Sequence, residues 1–414
     1  MIRPLAVVVV AAAVVAPASA ARPTVAAHVA ELTPDGFVVA FETDEAAAAV
    51  VEVARGPGAF AAAGESRGVA HRVRVRGLQP GERVRWRATA AGVVLGEGRG
   101  QAAPADDANA LDLLVYGDTR DGERDEAAIA VAGLSGAPVL AVHTGDLVPS
   151  GDDDEAWRRF FDVEQALVAE VPVHLAVGNH DLYRDPEGRR LRRYLPPPGG
   201  VATAYYTLRV GPARLIVLDS NHPDVAQTAW LAETLTAAAS EAGRPHVLVF
   251  LHHPPFSTGG HCGSGGEQAA WVALFERHHP SAVFAGHDHA YERLERRGVR
   301  YFVTGGGGAP LYDERPTCSA DDRVARRVYR AEHHLLRVRV RGEALEVEAA
   351  RPSLPPIEIV RWARGDPTGP DAPAPLEARR AAGPLMPWVA VAAAAAGLAA
   401  SAWWTRRRAR RRAG

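Results

Sequence analysis

The stretch VHLAVGNHD, residues 173–181, decides how the chain is read: an apolar run passes straight into Gly178, Asn179, His180 and Asp181. A short run of this kind, rich in Val and Leu, reads as a buried strand, and the residues after it are metal-binding types. Four other runs share the form. Residues 111–116 lead into Gly117-Asp118, 139–144 into Gly145-Asp146, 247–251 into His252-His253, and 281–285 into Gly286-His287-Asp288-His289. Helices are predicted over 154–170, 227–242 and 267–278. Strands alternating with helices predict a parallel arrangement, in which the carboxyl ends of the strands share one edge where ligands bind. Aspartates, an asparagine and histidines then converge on that edge. Without a cation, such carboxylates would repel one another and lose hydration.

Outside this body the pattern changes. Residues 23–103 show short alternating strands, with Pro80-Gly81 as a turn and Val84, Trp86 and Ala88 alternating after it, which predicts a small antiparallel sandwich. Residues 102–108 form a linker, the α/β body runs over 109–360, and 361–384 is a Pro/Ala/Gly-rich stalk. Residues 1–20 have the layout of a secretory signal, with an apolar core over 5–15 and Ala18-Ser19-Ala20 before a mature start near Ala21; an uncleaved anchor is the alternative. Residues 385–404 carry no charge and are long enough for a membrane-spanning helix, and six arginines follow between Arg406 and Arg412 as a cytoplasmic tail would. A buried Ala-rich helix and a sorting tail trimmed by a protease are the other readings. The membrane anchor and the sorting tail both place the body outside the cytoplasm, on the cell surface or the periplasmic face.

The formal net charge of −2 gives no reason to expect nucleic acid as a partner. Every basic residue is arginine, which reads as codon bias. Cys262 and Cys318 are the only cysteines; an oxidising compartment lets them pair, and two free thiols are the alternative.

The ordered set Gly117-Asp118, Gly145-Asp146, Gly178-Asn179-His180-Asp181, His252 and Gly286-His287-Asp288-His289 resembles the calcineurin-like metallophosphoesterase superfamily. Within it, GHDHAYER over 286–293, following an N-terminal β-domain, is most similar to purple acid phosphatases and their bacterial relatives. The resemblance implies a four-layer αββα sandwich preceded by a small fibronectin type III-like all-β domain. It also implies two metal ions of iron, manganese or zinc. Asp146 would bridge them, Asp118 and His289 would bind one, and Asn179, His252 and His287 the other. A hydroxide bridging the ions would attack phosphorus, with His180 over the substrate as proton donor or phosphoryl contact. Asp181 would orient a neighbouring imidazole through a hydrogen bond.

Two departures from the family pattern stand out. Arg120 occupies the place of a further histidine, and Pro149 the place of the purple acid phosphatase tyrosine. Glu126, Asp125 or water is then left to complete the first ion, unless both acids only charge a helix start. Arg120 reads either as a bidentate phosphate contact or as the partner of Asp121 or Asp125. His253 reads as a packing residue, His261 as an exposed loop histidine with reach to the substrate as the alternative, His143 and His174 as core residues, and His333-His334 as lying away from the site. Residues 305–308 (GGGG) lack the Lys and Ser/Thr of a phosphate-binding loop and read as a close pass beside the metal edge. Asn221 is a candidate substrate contact. The resemblance therefore implies a phosphate monoesterase, with a phosphodiesterase or nucleotide pyrophosphatase as the alternative. Pocket-rim segments 182–203, 222–228 and 256–267 would distinguish these. A non-catalytic surface-binding module is the reading of another class.

Overall fold

The computed structural model describes residues 21–266 and 268–366. The expected signal over 1–20, most of the stalk, the membrane helix over 385–404 and the arginine tail lie outside the described residues. Among the described residues no helix is long and apolar enough to cross a membrane.

Five antiparallel strands come first: β1 (Pro23–Thr33), β2 (Gly36–Ala54), β3 (Ala61–Val75), β4 (Arg83–Ala90) and β5 (Val93–Gln101). The long β2 pairs with β1 and β3 along its first half and with β3 and β4 along its second. Phe37, Phe41, Val51, Val73 and Trp86 fill the core of this unit.

The α/β body opens with β6 (Ala110–Tyr116), α1 (Glu123–Gly133), β7 (Leu140–His143), α2 (Asp154–Val163), α3 (Gln165–Val168) and β8 (Val173–Leu175). It continues through the one-turn α4 (Asn179–Leu182), α5 (Arg189–Tyr194), β9 (Tyr206–Val210), β10 (Ala213–Val217), α6 (Val225–Ala239), β11 (His246–Phe250), α7 (Ala269–His278) and β12 (Ala282–Ala285). The remainder is β13 (Tyr291–Arg296), β14 (Val299–Thr304), α8 (Ala320–Ala325), β15 (Arg326–Arg330), β16 (Leu335–Arg341), β17 (Ala344–Arg351) and β18 (Leu354–Ala363).

These strands form two sheets, one ordered β18-β17-β16-β6-β7-β8 and the other β15-β13-β14-β12-β11-β10-β9. Leu113, Val115 and Val142 of the first pack against Leu215, Leu248, Phe250 and Phe284 of the second. The outer faces are covered as well: Leu114 and Tyr116 by Ile129, Trp157 and Phe160, and Val249 and Val283 by Leu231, Trp271 and Phe275. The result is the αββα sandwich. Burial on both faces explains why the strands read as continuous apolar runs rather than alternating ones.

The structure departs from the sequence reading in two respects. The ligand-bearing strand ends do not share one sheet: β6, β7 and β8 lie in one, β11 and β12 in the other. Strands buried on both faces look alike whichever sheet they join, so the apolar runs carried no sign of the division. The body also runs past residue 360, because β18 continues to Ala363; Trp362 sits in the inter-sheet core beside Phe302. Residues 361–363 are therefore strand and not stalk.

The β-domain is fastened to the helix layer. Trp86 Nε1 donates to the Ala169 carbonyl at 3.1 Å, His28 stacks on Phe161 at 4.3 Å, and Arg193 grips Glu42 with two hydrogen bonds. Beneath β6 lies a polar pocket in this otherwise apolar layer. The Tyr116 hydroxyl donates to Glu164, and Glu126 lies beside Glu164; Glu126 Oε1 and Glu164 Oε1 are buried without hydrogen-bond partners. Burial pushes the Glu164 carboxyl up to about 8 and raises Glu126 well above the carboxylate range, with Glu164 adding to the rise. An acid raised on folding holds its proton in the folded state, so stability falls as pH rises from the ordinary glutamate value towards that of Glu164. Glu164→Gln keeps an acceptor for Tyr116 and removes the titration. Its melting temperature is expected to gain on the wild type by about 3 °C or more between about pH 5 and pH 8. Parallel pH profiles of the two melting temperatures would contradict this assignment.

Candidate metal centre

Each strand that ends at the site turns sharply as it leaves its sheet. Asp118 follows β6, Asp146 follows β7 and His287 follows β12, and all three sit in the left-handed region, with φ of 59°, 58° and 69°. Non-glycine residues rarely adopt this conformation, at about 1 kcal/mol or more each. Surrounding bonds hold them there: Asp118 N–H donates to the Gly145 carbonyl at 2.9 Å, and His287 N–H donates to Asp118 Oδ2 at 2.9 Å. Gly178 is needed for close approach, because a Cβ there would lie 2.2 Å from Asp146 Oδ1.

The two sheets are joined at this edge. His252, after β11, donates from Nδ1 to the Thr144 carbonyl, after β7, at 2.8 Å. His289 donates from Nδ1 to the Pro310 carbonyl at 2.7 Å. A carbonyl can only accept, so each imidazole carries its proton on Nδ1. In the neutral ring, Nε2 then presents a lone pair. His252 Nε2 lies 3.5 Å from Asp146 Oδ1, and His289 Nε2 lies 3.5 Å from Asp118 Oδ1. At His252 the lone pair thus faces a carboxylate; at His289 burial opposes a charge, but the Asp118 carboxylate outweighs it and raises the imidazole above its ordinary value.

Something positive fits between them. Asp118 Oδ1 is fully buried and has no hydrogen-bond partner. Burial pushes the Asp118 carboxyl up to about 6, with His289 opposing the rise and Asp146 adding to it. Burial also holds His252 far below the ordinary histidine range, so a proton is disfavoured on its ring. A buried set of carboxylate oxygens and neutral imidazole nitrogens suits a dication of the zinc, manganese or iron kind. Ligand atoms of Asp118, Asp146 and His252 lie within 4.8 Å of one another, as do those of His252, His253 and His287. Asn179 Oδ1 is 3.0 Å from His252 Nε2. The residues present fit a metal centre.

The neighbours sort differently from expectation. Asp181 does not orient an imidazole. Its buried carboxylate accepts the backbone N–H groups of Asp146, Leu147 and Gly178 at 2.8–2.9 Å and so ties the second and third ligand loops together. Glu126 faces Glu164 inside the helix layer, and Asp125 lies 3.6 Å from His333 Nε2. Arg120 pairs with carboxylates: Nη1 lies 3.2 Å from Asp121 Oδ2, one of the partners considered for it, and Nε lies 3.4 Å from Asp146 Oδ2. His180 donates from Nδ1 to the Pro149 carbonyl at 2.9 Å, and its backbone N–H donates to Asp146 Oδ1 at 2.9 Å.

Ser220 Oγ accepts from the backbone N–H groups of His252 and His253, so its own proton goes to His253 Nδ1 at 3.0 Å. That keeps the His253 proton on Nε2 and suits a hydrogen-bond donor better than a ligand. His143 and His174 are core residues held neutral by burial, at about 3 and about 4. His334 is closer to the site than the sequence suggested: its N–H donates to the Gly306 carbonyl, and residues 305–308 pass beside Asp118. Asn221 donates from its amide to the Val177 and Asp219 oxygens, which turns it towards the backbone. Cys262 and Cys318 form a disulfide. Two groups had no signal in the sequence. Tyr312 stacks on His289 at 4.1 Å, and the Pro310 and Thr144 carbonyls set the histidine tautomers. The Gly run before residues 310–312 was the only hint that this loop meets the ligands.

Residues 111–291 match the family model described as calcineurin-like phosphoesterase. Over 176 residues the chain is 34% identical to a phosphoenolpyruvate phosphatase of Allium cepa, covering 39% of this chain and 36% of that one. It is 28% identical to an Fe(3+)-Zn(2+) purple acid phosphatase of Arabidopsis thaliana, over 41% of this chain and 39% of the other. The chain therefore spans well under half the length of these relatives. Among solved structures, a purple acid phosphatase from yellow lupin seeds superposes with a TM-score of 0.66 at 16% identity, over 80% of this chain and 72% of that one. PhoD superposes with the same score at 13% identity, over 88% and 94%.

If cations separate these lone pairs and carboxylates, removing them leaves the repulsion uncompensated. Chelation is expected to lower the melting temperature by about 4 °C or more, with recovery on adding zinc or manganese, and Asp118→Asn to abolish most of that dependence. A melting temperature indifferent to chelator in the wild type would contradict a metal centre here.

Proposed function

Taking residues 111–291 as a calcineurin-like phosphoesterase domain related to the purple acid phosphatases, we propose that the chain is a metal-dependent phosphoesterase acting on phosphate monoesters. The observation that carries this is the pair of carbonyl-pinned histidines, His252 and His289, whose Nε2 atoms face Asp146 and Asp118. In this reading Asp118, Asp146 and His289 hold one ion, and Asp146, Asn179, His252 and His287 hold the other. When bound, such a pair supplies Lewis acidity to the phosphoryl group and makes water nucleophilic at neutral pH.

The remaining chemistry belongs to the chain's own side chains. Arg120 lies along the Asp146 side of the centre, only 15% exposed, and its guanidinium would receive a phosphoryl oxygen. His180, with Nδ1 engaged by the Pro149 carbonyl, has Nε2 as the atom that would deliver a proton to the departing alkoxide. Asp181 holds the Asp146 and Gly178 backbones in register. The disulfide supports an extracytoplasmic setting, where such bonds persist.

The test is an assay of the metal-loaded protein on p-nitrophenyl phosphate against bis-p-nitrophenyl phosphate. The monoester is expected to give the higher kcat/KM, and Asp146→Asn to lower kcat by about 100-fold or more. Preference for the diester would favour the phosphodiesterase alternative. A folded, metal-loaded protein inert to both would favour a binding module.

A further inference from the structure

Four aromatic rings form a continuous line beside the ligands. His287 packs against His261 at 4.3 Å, His261 against Tyr312 at 5.3 Å, and Tyr312 against His289 at 4.1 Å. The two inner rings come from separate loops that are fastened together. The Cys262–Cys318 disulfide joins them, Arg315 N–H donates to the Thr258 carbonyl at 2.7 Å, and the Arg315 guanidinium donates to the Gly260 carbonyl at 3.0 Å. Tyr312 is held in particular. Its N–H donates to the His289 carbonyl at 3.0 Å, and its ring packs so close to Gly260 that a Cβ there would lie 3.0 Å from it.

The phenol interacts with the Arg120 guanidinium, which itself lies 3.4 Å from Asp146 Oδ2, and with the Asp118 and Asp288 carboxylates. Tyr312 and His289 are stacked with only 12° between their planes, so the phenol lies over the face of the imidazole and off the in-plane direction of its ring nitrogens. On its outer side the ring borders an open groove of about 540 Å³ lined also by Gly260, His261, Asp313 and Arg315.

We propose that Tyr312 is a substrate-contacting residue: its hydroxyl and the Arg120 guanidinium together grip a non-bridging oxygen of the bound phosphoryl group, while the ester group extends into the groove beside His261. The inference deepens the phosphoesterase reading and rests on it. It gives Arg120 a companion in phosphoryl binding and makes the disulfide the clamp that positions Tyr312.

Tyr312→Phe in the metal-loaded full chain tests it, with Arg120→Ala alongside. Each is expected to raise KM for p-nitrophenyl phosphate and the inhibition constant of inorganic phosphate together, by about 5- to 20-fold, and to change kcat less. The double variant should lose less than the product of the two. Metal content should be unchanged in Tyr312→Phe, and the iron-loaded wild type should show no visible charge-transfer band that this variant removes. Unchanged KM and phosphate inhibition would overturn the proposal, as would loss of metal or of such a band. If the wild type turns over no ester, calorimetric titration with inorganic phosphate decides the matter separately. Weaker binding in Tyr312→Phe upholds the contact although the esterase reading fails, and equal binding overturns it.

Discussion

Two imidazoles pinned by backbone carbonyls and held against two buried carboxylates are the constraint on which the rest of this structure depends. The Thr144 and Pro310 carbonyls take the Nδ1 protons of His252 and His289, so neither ring can turn a proton towards its aspartate without becoming cationic. Burial opposes that cation at His252 and opposes the free carboxylate at Asp118. The local conformations follow from the same demand. Asp118, Asp146 and His287 accept left-handed backbone, and Gly178 gives up its side chain, to bring these atoms together.

Ordinary packing provides the force that holds such an edge in place. Both sheets are covered on both faces, and their shared core sits directly under the site. The bond from His252 to Thr144 and that from His287 to Asp118 each run from one sheet to the other. Relative sliding of the sheets would break the centre and the core at once. Asp181 adds a third tie by binding backbone N–H groups from two loops of the same sheet.

The strands and their ligand-bearing ends were legible in the sequence because two-sided burial writes a continuous apolar run, and a glycine with an acid or imidazole marks where it stops. The assignment of those strands to two sheets was not legible, since both sheets bury their strands alike. Asp181 was misread because sequence adjacency to His180 says nothing about direction; its carboxylate turns back to the backbone. Glu126 was left open by the sequence for a related reason: its place on the first turn of α1 is compatible with facing Asp118 or Glu164, and only the packing of the helix layer decides. Trp362 carried a usable signal, since Val360 and Trp362 continue the inward-facing alternation of β18 into what composition marked as stalk. Tyr312 lies in a loop without periodicity, 23 residues beyond His289, and only the fold brings it back.

The central claim is that cations belong between these particular atoms. Anomalous diffraction from crystals of the manganese- or zinc-loaded protein measures that directly. Two peaks are expected, one among Asp118, Asp146 and His289 and the other among Asp146, Asn179, His252 and His287. An intact fold with no peak at this edge, or with metal held only elsewhere, would contradict the account.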